Sequence, residues 1–151
     1  MIKDALYSIG LSGFYFDDQK AIKAGAKEDG FAYRGVPLTP GYESVRQKGE
    51  SISVMLLLED GQIAFGDCSA IQYSGAGGRE PLFRAKDLVK DLEEIVFPFL
   101  LSQRWTTFRE LANKIEDLEI NGRKLHTALR YGISQAILDA FAKYKKKTMT
   151  E

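Results

Sequence analysis

The sequence predicts an α+β domain, a three-stranded antiparallel sheet followed by a helical bundle, on three observations. Short alternating apolar runs are confined to the first half of the chain. A turn dipeptide joins the two strongest of them, and the second half carries three stretches of apolar residues at helical spacing. Strands first and helices after is the order expected when helices pack on an antiparallel sheet.

The first strand is read from "IKDALYSIG", which is short, partly alternating and closed by Gly10 and Gly13. From Phe14 to Gly49 the pattern loosens. There "DDQKAIKAGA" predicts a brief helix with Asp17 or Asp18 as its N-cap, and "DGFAYRGVPLTPGYES" is dense in glycine, proline and aromatic residues. So long a stretch with little regular structure, when ordered, is often functional. Next, "SISVMLLLEDGQIAFGDCSA" is two apolar runs joined by Asp60-Gly61, the dipeptide suited to a two-residue type I′ hairpin. Ile52, Val54, Leu56 and Leu58 share one face of the first run, and Ile63 and Phe65 alternate along the second.

Pro81 suits the first turn of a helix, and Leu82, Ala85, Leu88, Val89, Leu92 and Val96 repeat at helical spacing until Pro98 interrupts. A second helix begins at Thr107, with Glu110 three residues on as a capping box. It carries Phe108, Leu111, Ala112, Ile115 and Leu118 on one side, and Asn121-Gly122 ends it. The third stripe is Leu125, Ala128, Leu129, Gly132, Ile133, Ala136, Ile137, Ala140, Phe141 and Tyr144, whose small residues permit close packing. There is no repeat and no low-complexity tract.

A chain of 151 residues, 44% of them hydrophobic, suffices for one domain with a real core. Lysine plus arginine (21) balance aspartate plus glutamate (21), so no net field draws the chain to nucleic acid or an anionic membrane. The single Cys68 excludes an intrachain disulfide and any multi-cysteine metal site, which favours a reducing, cytoplasmic setting. No apolar run approaches the roughly 20 residues of a membrane span, and "MIKDALYSIG" lacks the features of a signal peptide.

"AIQYSGAGGREPLF", residues 70 to 83, is the stretch that invites a functional reading, with Gly75, Gly77 and Gly78 packed together. A dinucleotide fingerprint fails at Glu80, three residues after Gly77, and a P-loop fails for want of its lysine. Two readings stay open. The glycines serve a tight strand-to-helix turn, or they let the backbone approach a ligand, with Gln72, Tyr73, Ser74 and Arg79 supplying polar groups.

Elsewhere the structural reading prevails. His126, the single histidine, sits one turn into the last helix at its boundary, with no nucleophile motif to serve. Cys68, beside Asp67 in an apolar strand, is a packed side chain with a raised pKa. Asp87, Asp91, Glu93 and Glu94 fall on the polar side of a helix, and Glu59-Asp60 on a hairpin tip. Lys143, Lys145, Lys146 and Lys147 suit the C-terminal end of a helix dipole.

The runs "GFYFDDQKAI", "VRQKGESISVMLLLEDGQIAFGDCSAIQYSGAGGREPLF" and "LHTALRYGISQAILDAFAK" resemble the N-terminal part of the methylaspartate ammonia-lyase family, in the enolase superfamily. The resemblance covers essentially the whole chain. "AILDAFAK" alone resembles only the superfamily's alanine-rich helix ending in an aspartate, here Asp139. The fold it implies is a capping domain over residues 1–151 whose last helix leads toward a (β/α)₈-type barrel absent from this chain. Two cap loops would close over the barrel mouth, one running from about Gly13 onward and the other being the glycine loop. Gln72 matches a glutamine that reaches the substrate, with Tyr73 as a second substrate-binding candidate.

The activity implied is reversible elimination of ammonia from 3-methylaspartate to give mesaconate, in glutamate fermentation. Mg²⁺ would stabilise an enolate-like intermediate between a lysine and a histidine, all supplied by the barrel, so no residue here inherits a catalytic or metal role. The segment alone is expected to be inactive, and the family implies a homodimer built largely by the barrels. The chain stops at "YKKKTMTE", soon after its longest stripe, which leads us to expect a cut or a linker. An independent protein-interaction module is the alternative reading, and nucleotide binding by the glycine loop is a third.

Overall fold

The computed structural model describes residues 1–70, 80–104 and 107–151. Its main sheet has the order β1 (Ile2–Asp17), β4 (Arg46–Leu58), β5 (Ile63–Ser69), with both pairings antiparallel. Between β1 and β4 lie the short helix α1 (Gln19–Lys23) and a small hairpin, β2 (Lys27–Asp29) with β3 (Ala32–Arg34). After the sheet come α2 (Ala85–Asp91), a π-helical turn (Leu92–Val96), α3 (Phe97–Ser102) and α4 (Phe108–Glu116). A second small hairpin, β6 (Glu119–Ile120) with β7 (Arg123–Lys124), leads to the long helix α5 (Thr127–Lys145). The α+β class and the three-stranded sheet are as expected. Among the described residues no helix is long and apolar enough to cross a membrane.

Gly10 and Gly13 do not close the first strand. β4 begins at Arg46, earlier than its apolar run, and holds β1 out to the pair Asp17–Arg46. A register shift between Leu11 and Tyr15 absorbs the extra residues as a bulge. The buried face of β4 is Ile52, Val54, Leu56 and Leu58, as the alternation predicts.

On β5 the prediction inverts. Ile63 and Phe65 are exposed, and Ala64, Gly66, Cys68 and Ala70 form the inner face. The reason is the closeness of α5. A Cβ on Gly66 would stand 2.6 Å from the Ala136 backbone nitrogen, and one on Gly132 would stand 2.5 Å from Cys68 Sγ. Large side chains cannot fit between strand and helix at that separation, so the small residues face inward. α5 buries Leu129, Ile133 and Ile137 completely, each worth about 1.5–3 kcal/mol. Tyr144, the last residue of the predicted stripe, is exposed. From the same helix Asp139 accepts a hydrogen bond from the Phe65 backbone N–H (2.9 Å), and Gln135 Oε1 accepts one from the Asp67 N–H (3.0 Å). Lys143 donates to Asp139 (2.7 Å) and to the Ile63 carbonyl (2.6 Å).

The turns exchange types relative to expectation. At the β4–β5 junction the Leu58 N–H bonds the Gln62 carbonyl and Gly61 alone has positive φ (+84°), so the loop has three residues, a type I turn followed by a left-handed glycine. The two-residue type I′ geometry is found instead at Asn121-Gly122, φ 52° and 73°, joining β6 to β7 after α4 has already ended at Glu116.

Pro98 does not interrupt its helix, which continues through it to Ser102. The π-helical turn just before it widens the backbone where the proline ring would otherwise strike the carbonyl four residues back. α2 begins at Ala85 rather than Pro81, because Glu50 Oε2 accepts the Ala85 N–H (2.6 Å) and residues 80–81 are fastened elsewhere. α4 starts as predicted, with the Thr107 hydroxyl accepting from the Glu110 N–H (3.2 Å).

Candidate functional site

Two segments inserted in the sheet carry the candidate site: residues 18–45, between β1 and β4, and residues 71–79, between β5 and α2. Gln72 and Tyr73 lie outside the described residues, as do Ser74, Gly75, Gly77, Gly78 and Arg79. What the structure describes is the frame that holds both segments at their roots.

Asp18 is the anchor of the first. Its carboxylate is buried and caps α1 through the Lys20 and Ala21 N–H groups. It also accepts from the Leu38 N–H (2.5 Å), the Thr39 N–H (2.8 Å) and the Thr39 hydroxyl (2.6 Å). Burial pushes this carboxyl up, but the hydrogen bonds from Thr39, Leu38 and Ala21 outweigh it and hold the group below the usual carboxylate range. One side chain thus ties the start of the segment to residues some 20 positions on.

Asp17, its neighbour, accepts both Arg46 Nε (2.6 Å) and Nη2 (2.7 Å) in a bidentate pair. The Arg46 guanidinium lies over the rings of Tyr33 (4.8 Å) and Tyr15 (5.8 Å), so it joins the β2–β3 hairpin to the sheet. Tyr42 donates to the Asp17 carbonyl (3.1 Å), and burial, with Asp18 and Asp17 nearby, pushes its hydroxyl up to about 12.

The second segment leaves β5 at the buried Ala70 and returns at Glu80. Glu80 Oε2 accepts the Thr127 N–H at the start of α5 (2.8 Å) and faces His126 Nδ1 (3.5 Å) and Arg130 (3.8 Å). His126 is the N-cap of α5, one position outside the helix rather than a turn inside it. Its Nδ1 accepts the Ala128 N–H (3.1 Å), which leaves Nε2 to donate to the Pro81 carbonyl (3.0 Å). The histidine is therefore a fastener between the helix and the segment's return. Three residues on, Arg84 Nη1 donates to the Gly41 carbonyl (2.9 Å) and Nη2 to Glu43 (2.8 Å), while Nε stands 3.2 Å from Glu50.

Between these groups opens a cavity of about 470 Å³, lined by Leu11, Tyr15, Phe31, Arg46, Glu50 and Arg84 among others. Large apolar residues on the first segment and its approach stand exposed, Phe14, Phe31, Val36 and Leu38 among them. Cys68 is buried against α5, and burial, with Asp67 second, pushes its thiol up to about 12, as expected of an inert packed cysteine. With both histidine nitrogens engaged and the thiol sequestered, the described residues fasten the 18–45 segment and the stretch from Glu80 to Arg84.

Sequence reasoning found Asp18 only as a helix cap and missed Arg46, Glu80 and Arg84. Arg46 finds Asp17 29 positions away, Arg84 finds Glu43 41 away and Glu80 finds Thr127 47 away, and no local pattern announces these pairs.

Residues 1–151 match the family model described as "Methylaspartate ammonia-lyase N-terminus". Over 98% of its length the chain superposes on the β-methylaspartase of Clostridium tetanomorphum, solved as a magnesium complex, with a TM-score of 0.95 and 58% identity. A methylaspartate ammonia lyase from Citrobacter amalonaticus, solved with (2S,3S)-3-methylaspartic acid, matches 99% of the chain at a TM-score of 0.94 and 52% identity. Methylaspartate ammonia-lyase 2 of Carboxydothermus hydrogenoformans is 55% identical over 99% of the chain. The chain spans 36% of the length of each of these relatives.

Proposed function

Because the chain belongs to the methylaspartate ammonia-lyase N-terminus family, we propose that it is the capping and substrate-pocket portion of an enzyme that reversibly eliminates ammonia from 3-methylaspartate to give mesaconate. The observation that carries this reading is the 58% identity and 0.95 TM-score against 36% of the Clostridium tetanomorphum enzyme. Residues 1–151 act as one capping domain, with α5 leading toward a barrel that contributes the acid–base groups. The exposed apolar residues of the 18–45 segment support a surface built to be covered by another part of the protein. Gln72, with Tyr73 beside it, reaches from the 71–79 segment into the substrate pocket. The setting is the cytoplasm, the pathway glutamate fermentation and the assembly a homodimer.

Magnesium serves the whole enzyme in this reading, in keeping with the magnesium complex of the clostridial relative. Among the described residues no group of three or more His, Cys, Asp or Glu side chains could hold an ion. Asp17 and Asp18 spend their oxygens on Arg46 and on the donors around Thr39, and Glu43 and Glu50, which line the cavity, pair with Arg84. Asp17 and Asp18 do not fit the metal, and the reading places its ligands in the barrel.

The test is mesaconate formation from 3-methylaspartate, measured for the 151-residue chain and for the chain joined to its downstream sequence. Turnover by the longer protein alone is expected. Turnover by the isolated chain would overturn the reading.

A further inference from the structure

We propose that Arg84 is a positioning residue, a clasp that sets the 35–45 segment against the start of α2. The inference rests on the cap reading and goes beyond it by naming what couples the 35–45 segment to the helical half of the domain. Arg84 follows the second segment by five residues and its guanidinium reaches into the first, donating to the Gly41 carbonyl (2.9 Å) and to Glu43 (2.8 Å). The side chain is only 14% exposed, and Glu50, 3.2 Å from Nε, uses its other oxygen to cap α2 at Ala85 (2.6 Å).

One guanidinium therefore hydrogen-bonds a backbone carbonyl and a carboxylate of the 35–45 segment and lies at ion-pair distance from Glu50, the strand-borne carboxylate that caps α2. Arginine's planar fork can serve both acceptors of the segment while facing that carboxylate, whereas a lysine ammonium offers a point charge on a flexible stem. Asp18 fastens the same 35–45 segment at Leu38 and Thr39, but from within its own insertion. Arg84 contributes the bonds that join that segment to the residue preceding α2. It also lines the cavity beside Tyr15, Phe31 and Arg46, so a shift of the clasp changes the shape of that space.

Arg84→Met keeps the apolar stem and removes all three contacts; Glu43→Gln, at a carboxylate 75% exposed, removes only the ion pair on the loop side and leaves the fold undisturbed. Hydrogen exchange is measured on the 151-residue chain, and KM and kcat for 3-methylaspartate on the protein extended through its downstream sequence. The expected result for Arg84→Met is about tenfold faster exchange at the amides of residues 38–43 with α5 unchanged, and a KM raised about tenfold with a smaller change in kcat. Glu43→Gln moves both in the same direction by less, and Arg84→Lys recovers part of the loss. Unaltered exchange at 38–43 in both variants would refute the clasp, as would a uniform rise in exchange across the whole chain with KM unchanged. If the extended wild-type protein turns over no 3-methylaspartate, the ammonia-lyase reading fails, and the exchange measurement alone decides the clasp.

Discussion

Replacing Gly132 by alanine sets two effects of opposite sign against each other. In an ordinary helix interior the change favours folding by up to about 1 kcal/mol, because glycine pays more backbone entropy. At Gly132 the new Cβ would stand 2.5 Å from Cys68 Sγ, 2.6 Å from the Cys68 nitrogen and 2.7 Å from the Asp67 carbonyl carbon, where ordinary contact begins near 3.4 Å. Two of those atoms are backbone of β5, so helix and strand must part by about 1 Å, an overpacking that costs about 1–3 kcal/mol. The same movement stretches the bonds from the Phe65 and Asp67 N–H groups to Asp139 and Gln135, each worth roughly 1 kcal/mol. The net is a loss of about 3 kcal/mol, or a fall of about 6–12 °C in melting temperature for a chain of this size. Urea denaturation of Gly132→Ala, with Gly13→Ala as the control because nothing lies within 4 Å of its Cβ, measures it. Unchanged or raised stability in Gly132→Ala would show that α5 does not approach β5 so closely, and the account of the inverted β5 face would go with it.

Three further outcomes follow from the site. Asp18 is held below the usual carboxylate range, so its contribution is fully present above the ordinary value of about 3.9 and is lost as pH falls through the depressed folded value; Asp18→Asn should flatten that acid limb of a stability–pH curve and cost about 2–4 kcal/mol at neutral pH. The Cys68 thiol, buried and pushed up to about 12, should resist a maleimide in the folded chain at pH 7 and react promptly in denaturant; rapid labelling of the native protein would contradict its burial. In the complete enzyme, Gln72→Ala should change substrate affinity or selectivity more than melting temperature. A lowered melting temperature with unaltered kinetics would reassign that glutamine to structure.

What the sequence made legible was the local physics. Thr107 was found as a cap and Asp18 as one of two candidates with Asp17, because a cap bonds its own next turn, and the inner face of β4 followed from strict alternation. The face of β5 was misread because Ile63 and Phe65 outweigh Ala64, Gly66 and Cys68 in hydrophobicity, while the deciding fact is how near a helix 70 residues away will lie. The start of α2 was placed at Pro81 by its own propensity, whereas Glu50 and His126, remote in sequence, fix it at Ala85. The same distance in sequence hid most of the site's frame. Nothing in the local sequence marks Arg46 or Arg84 until the fold brings Asp17, Glu43 and Glu50 to them.

The bonds from α5 to β5 bear on more than packing. A marginal strand offers its outward N–H and C=O groups to any extended chain that arrives, which makes it a template for aggregation. On β5 three of those groups are already taken: Asp139 holds the Phe65 N–H, Gln135 the Asp67 N–H and Lys143 the Ile63 carbonyl. A foreign strand would have to displace three side chains of one helix before it gained its first rung. Asp139 thereby serves as a guard on that margin, closing it against pairing with other chains.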